Sequence, residues 1–188
     1  LDSDATPEVL VGRAEALTAA GLGVESQEEL RRAAASLELH DRSTRLAETK
    51  LALAGCALRN GDLPVARKAA EQARVLFRSQ RRPSWAVLAA TTSWKARLGA
   101  GEHTLWTLWR ARRIATASAK WGWTRESAEL SLTAGWVAGR SGHRRAGRRF
   151  LAQAAKARRV QDGEPAHRAL GWLAKALLAK RHGDKARV

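Results

Sequence analysis

Tyrosine and methionine are absent from this 188-residue chain, phenylalanine occurs twice and cysteine once. Each scarcity excludes something. A single cysteine, Cys56, cannot form an internal disulfide framework or a cysteine-based zinc site. It lies among Leu53, Ala54, Ala57 and Leu58, with no neighbour that would activate it, so a buried thiol is expected rather than a reactive one. β-Branched and aromatic residues are too few to supply a sheet. No uninterrupted apolar run reaches the ~18 residues of a membrane span, and the N-terminus lacks a charged-then-apolar signal pattern. The chain reads as cytoplasmic.

Alanine, leucine, arginine, glutamate and lysine fill the space left, and all are good helix formers. Net charge is +16. It is spread unevenly: residues 1–100 hold 15 Lys/Arg and 12 Asp/Glu, whereas residues 101–188 hold 19 and 6. A basic second half favours an acidic partner, whether a protein surface, nucleic acid or anionic lipid. A high-GC genome also enriches arginine and alanine, and part of the excess is explained equally well that way.

Chain breakers recur with a fixed stride. Gly21, Gly61, Gly101, Gly142 and Gly183 are 40 or 41 residues apart, and His40-Asp41, Arg82-Pro83, Gly122 and Gly163 fall midway between them. Two interleaved sets with one period mean two helices per repeat, each about 16–18 residues or roughly 25 Å long. Thr6-Pro7-Glu8 has the pattern of an N-cap, a first-position proline and a first-turn acid. Ser26 with Glu29 reads as a capping box, Asp62 as a cap with Pro64 in the following turn, and Pro83-Ser84 as another start. Apolar stripes follow at helical spacing: Val65, Ala69, Ala73, Leu76 and Phe77; Ala146, Phe150, Ala154 and Ala157; Ala166, Leu170, Leu173, Ala174 and Leu177. One hairpin cannot bury such a stripe, but stacked neighbours can.

The run Leu53-Ala54, Ala57, Gly61-Asp62-Leu63, Ala66, Ala70 and Ala73 resembles a tetratricopeptide repeat (TPR), although the period is 41 rather than 34 and the usual closing proline is displaced to Pro83. A wider resemblance rests on Asn60-Gly61-Asp62-Leu63-Pro64-Val65-Ala66-Arg67 and on Arg74 through Ala86. It continues in Ala154-Ala155-Lys156-Ala157-Arg158-Arg159 and Arg168 through Ala174. These are similar to the helical region of actinobacterial CHAT-domain proteins, in which TPR-like repeats precede a caspase-like domain. The resemblance implies a right-handed superhelix. It also implies that any protease-like chemistry lies beyond Val188, so no catalytic residue is carried over. Leu1 is not an initiator methionine and Val188 follows Gly183-Asp184 by only a few residues, so a segment of a longer protein is expected.

Two surfaces are candidate partner sites. After Gly101, Trp106, Trp109, Arg110, Arg113 and Lys120 share one side of a helical wheel, opposite Leu105, Leu108, Ala111, Ala115 and Ala119. Indoles interleaved with cations can stack bases against phosphate contacts or hold a peptide carboxylate. Alternatively, the tryptophans pack on a neighbouring repeat with the arginines lying over them. After Gly142, Arg148, Arg149, Lys156 and Arg159 all fall within about 60° of Arg145 on the wheel, away from the Ala146–Phe150–Ala154–Ala157 stripe. That face is either solvated or turned to an acidic partner; its apolar side lacks the bulk a membrane surface would need. Trp85, Trp94, Trp121, Trp123, Trp136 and Trp172 are expected in the core or between repeats.

His40, His103, His143, His167 and His182 lie near turns without metal-ligand spacing, so no metal and no cofactor is assigned. Phosphate-loop, nucleophile-elbow and dinucleotide signatures are missing. Gly139-Arg140-Ser141-Gly142-His143 is a turn between helices.

The sequence therefore predicts an all-α fold: antiparallel helical hairpins stacked as a right-handed TPR-like α-solenoid with a period of about 41 residues. One repeat domain spans 1–188, with approximate repeats 6–41, 42–82, 83–122, 123–163 and an incomplete 164–188. The expected role is a non-enzymatic protein-interaction or sensing scaffold, binding an acidic protein or peptide or an attached effector domain. Alternatives are a nucleic-acid-binding solenoid and the TPR-like region of a transcriptional regulator. If Gly61 closes a helix in the left-handed region, Gly61→Val should cost about 1–2 kcal/mol by thermal unfolding. An unchanged melting temperature would place the turn elsewhere.

Overall fold

A computed structural model describes residues 5–40 and 43–158. Among the described residues there are eight helices and no strand. They are α1 (Pro7–Ala19), α2 (Gly23–Leu39), α3 (Ser43–Arg59), α4 (Leu63–Ser79), α5 (Pro83–Gly99), α6 (Leu105–Lys120), α7 (Thr124–Arg140) and α8 (Arg144–Arg158).

The recurring breakers are helix closures. Gly21, Gly61, Gly101, Gly122 and Gly142 all take φ between 77° and 81°, a left-handed backbone. At Gly61 that conformation lets its N–H donate to the Leu58 carbonyl at 3.3 Å and the Asp62 N–H donate to the Ala57 carbonyl at 2.8 Å. Two carbonyls that the helix would leave unpaired are thereby satisfied. The same two bonds close α1, α4, α6 and α7. After α4 the left-handed position belongs to Arg81, at φ 55°, the one non-glycine residue with positive φ among those described. Of the other expected breaks, His40 caps α2, whereas Asp41, Gly163 and Gly183 lie outside the described residues.

Helix starts follow the sequence with one exception. Pro7 and Pro83 are first residues of α1 and α5, and the Asp62 carboxylate accepts from the Val65 N–H at 3.3 Å. Thr6 is extended as a cap should be, but its side chain makes no capping bond. The Ser26–Glu29 capping box is wrong. The chain reverses at Gly21 and α2 restarts immediately at Gly23, so Ser26 falls inside the helix and is fully buried. Its hydroxyl donates to the Ala14 carbonyl of α1 at 2.8 Å. Ser127 of α7 repeats that bond, donating to the Ala115 carbonyl of α6 at 2.9 Å.

The chain divides into two compact units, Leu1–Gly101 and Glu102–Val188. In the first, each helix packs on the next and α3 also packs on α5, the contact between alternate helices that stacked hairpins require. Alanine dominates the contacts. Ala57, Ala66 and Ala96, from three helices, meet with no more than 1% exposure. Of the stripe expected on α4, Ala69, Ala73 and Phe77 are buried, while Val65 and Leu76 are partly so. Phe77 meets Trp85 at 5.5 Å between ring centroids, with the Arg82 guanidinium over both rings. Trp94 is fully buried.

A polar junction joins the first two hairpins. The Asn60 amide donates to the Gly23 carbonyl at 2.7 Å and to Gln27 Oε1 at 3.0 Å, and Gln27 Nε2 donates to Asp62 Oδ2 at 2.7 Å. The approach leaves no space for a side chain at position 23: a Cβ there would collide with the Asn60 amide. Cys56 is a buried thiol in this junction, as its neighbours imply, and donates to the Gly23 carbonyl at 3.3 Å.

In the second unit α7 packs on both α6 and α8, and α6 also touches α8. Ten residues of α7 are buried, Gly135, Ala138 and Gly139 among them.

Arg81 carries a cost that glycine would not, of order 1 kcal/mol for a non-glycine residue in the left-handed region. Arg81→Gly should therefore raise stability by about that amount in urea unfolding. A loss of stability would mean that the arginine side chain outweighs its backbone.

Candidate partner-binding surface

α6 begins at Thr104, whose Oγ1 accepts from the Thr107 N–H at 3.2 Å. This fixes the phase of the helix. Thr107, Leu108, Ala111, Ile114, Ala115 and Ser118 are buried. Trp106 and Trp109 are 51% and 52% exposed on the other side. Each indole carries a cation one helical turn further on: the Arg110 guanidinium sits 4.7 Å from the Trp106 ring centroid and Arg113 sits 4.8 Å from that of Trp109. Stacked in this way, the face of each guanidinium is held by the ring. Lys120, in the last turn, is exposed.

The wheel needs two corrections. Leu105 is 62% exposed and Ala119 is also exposed, although both were placed on the buried side. They lie outside the buried arc of α6, since Thr107 and Ser118 in the same end turns are buried. The arginines do lie over the tryptophans, yet the indoles are half open rather than buried. Trp121, the C-cap of α6, is 50% exposed and is not the core residue it was expected to be. Trp85 is 38% exposed, while Trp123 and Trp136 are half-buried, the latter beneath Arg140 at 5.1 Å. Trp172 lies outside the described residues.

On α8 Phe150 and Ala154 are buried, Ala146 is half-buried, and Arg145, Arg148 and Arg149 are exposed. Lys156 belongs to α8, and Arg159 lies outside the described residues, as does the third apolar stripe, Ala166 to Leu177. Neither α6 nor α8 contains an aspartate or glutamate. The carboxylates of this unit among the described residues are Glu102, before α6, and Glu126 and Glu129 on α7. Both helices thus carry cations and no carboxylate of their own, and α6 adds two half-open indoles among its guanidiniums. Sequence reasoning placed these residues on two separate helices; it did not identify that α6 and α8 touch.

Among the described residues no group of three or more His, Cys, Asp or Glu side chains could hold a metal, and no helix is long and apolar enough to cross a membrane.

No protein-family model and no curated protein matches this sequence. Among solved structures, the crystal structure of the apo form of RapI is similar, with a TM-score of 0.78 at 11% identity over 94% of this chain and 49% of RapI. The chain therefore spans about half the length of that structure. The likeness establishes the fold class, an all-α stack of TPR-like antiparallel hairpins, and nothing finer.

Proposed function

We propose that this chain is a protein-interaction scaffold, the TPR-like regulatory region of a larger multidomain cytoplasmic protein. It has no catalytic role of its own. Its partner is an acidic protein segment, contributed by another protein or by an effector domain in the same chain. The resemblance to CHAT-domain proteins makes a caspase-like effector the first candidate.

The carrying observation is that α6 and α8 carry exposed cations and no carboxylate of their own. Such clustered cations favour an anionic partner, which gains charge-assisted hydrogen bonds from them. Trp106 and Trp109 add area that stays half wet until something covers it, and tryptophan and arginine are the residues that most often dominate such interfaces. The same open indoles favour a second reading, single-stranded nucleic acid, because bases stack on aromatic rings beside phosphate-binding cations.

Anisotropy of a labelled peptide rich in glutamate and phenylalanine, beside a labelled oligothymidine, separates the two readings. The peptide should bind more tightly, and its affinity should fall steeply as salt rises from about 50 mM toward the screening regime. Reversing Arg145 and Arg149 to glutamate should abolish most of that binding with little change in melting temperature, since both are exposed. Tighter binding of the oligonucleotide, with quenching of tryptophan fluorescence, would replace the scaffold reading by the nucleic-acid one. Binding of neither would remove this surface as the interaction site.

A further inference from the structure

Exposed apolar bulk is confined to one element of the second unit. Among its described residues the exposed large hydrophobic side chains are Leu105, Trp106, Trp109 and Trp121, all on α6 or at its C-cap. The first three crowd into the opening of the helix, where Trp109 is a surface neighbour of both Leu105 and Trp106. Bulky apolar groups held side by side in water form the kind of patch that binding covers. Further along, α6 changes character. Its exposed residues there are Arg112, Arg113, Thr116, Ala119 and Lys120, none of them bulky and apolar.

The two blocks lie on one ridge. At about 100° per residue, Leu105, Trp106, Arg112, Arg113 and Lys120 all fall within about 60° of Trp109. At roughly 1.5 Å of rise per residue, the apolar block from Leu105 to Trp109 occupies about 6 Å of the axis and the cationic block from Arg112 to Lys120 about 12 Å. Arg113 marks the junction, its guanidinium 4.8 Å from the Trp109 ring centroid. The helix is therefore polarised along its length as well as across its width. A segment that interleaved acids with apolar groups would press carboxylates onto indoles, where they lose water and gain no cation.

We propose that α6 selects a segregated protein segment, in which bulky apolar residues form one block and carboxylates the next. Laid along the helix, the apolar block covers Leu105, Trp106 and Trp109 while the carboxylates meet Arg112, Arg113 and Lys120. The inference rests on the acidic-partner reading above and specifies how that partner is ordered. Charge complementarity fixes the class of occupant. A second copy of α6 would set cations against cations, and nucleic acid carries a phosphate at every step and offers no uncharged block.

Labelled peptides of a single composition, titrated with the full chain at low salt, test the order. Two are segregated, acetyl-Glu-Glu-Ala-Glu-Glu-Ala-Phe-Leu-Ala-Phe-amide and its reversed sequence, and the third is interleaved, acetyl-Glu-Phe-Ala-Glu-Leu-Ala-Glu-Phe-Ala-Glu-amide. By fluorescence anisotropy the tighter segregated peptide should bind about tenfold more strongly than the interleaved one. Trp109→Ala, and separately Arg112→Ala with Lys120→Ala, should each shrink that preference to about twofold or less, since either change removes one block. Lys68→Ala, an exposed cation of α4, should leave it unchanged. Equal binding of all the peptides, or a preference that survives Trp109→Ala, would overturn the inference and leave the acidic-partner reading standing. Binding of none would overturn both.

Discussion

An alanine stripe removes so little surface from water that it stabilises a helix only when another helix lies directly upon it. Most of the buried hydrophobic residues of the first unit are alanines, with Leu10, Leu30, Leu37, Leu53, Phe77 and Trp94 as the large exceptions. Ala57, Ala66 and Ala96 bring α3, α4 and α5 together, and Ala47, Ala73, Ala86 and Ala89 extend the contact around Phe77. Small side chains let helix axes approach closely, and the gain is the sum of many short dispersion contacts rather than a few large burials. Such a core demands that each helix end on time. A closure displaced by one residue would rotate the next stripe by about 100° and remove its alanines from the contact. The left-handed residues at the ends of α1, α3, α4, α6 and α7 are therefore part of the packing, because they set its phase.

The same economy explains the surfaces. Helices that bury narrow alanine faces leave broad faces to solvent, and the chain uses these for charge. On α6 and α8 every ionisable residue is basic. A scaffold whose interior is rich in alanine can carry such charge on its surface without disturbing the fold, since none of those groups is needed inside. Where polar groups do enter, at the Asn60–Gly23–Gln27–Asp62 junction, they are bonded to one another and lock two hairpins in register.

Periodic features were legible in the sequence because they are local. Glycine in a left-handed closure, proline at a helix start and the Asp62 cap each follow from the residue's own backbone preference or reach. Cys56 was legible from its apolar neighbours. Ser26 was not, because serine favours both helix caps and close helix contacts. Only the position of the preceding reversal decides between them, and α2 begins at Gly23. The pattern Ala14–Gly21–Ser26, repeated as Ala115–Gly122–Ser127, could have revealed it. Leu105 and Ala119 were misplaced because the buried arc of α6 is centred on Thr107, Ala111, Ile114 and Ser118, and is narrower than the half-wheel assigned to it.

The central claim is that these helices lie against one another at alanine distance. The most direct measurement is the urea unfolding of Ala57→Leu, at a position with no exposure where three helices meet. Leucine is the more hydrophobic residue and suits a helix nearly as well, so a loosely packed junction would accept it and gain stability. Close packing predicts a loss of about 1–3 kcal/mol, as the larger side chain forces the helices apart. An unchanged or increased midpoint would contradict the account.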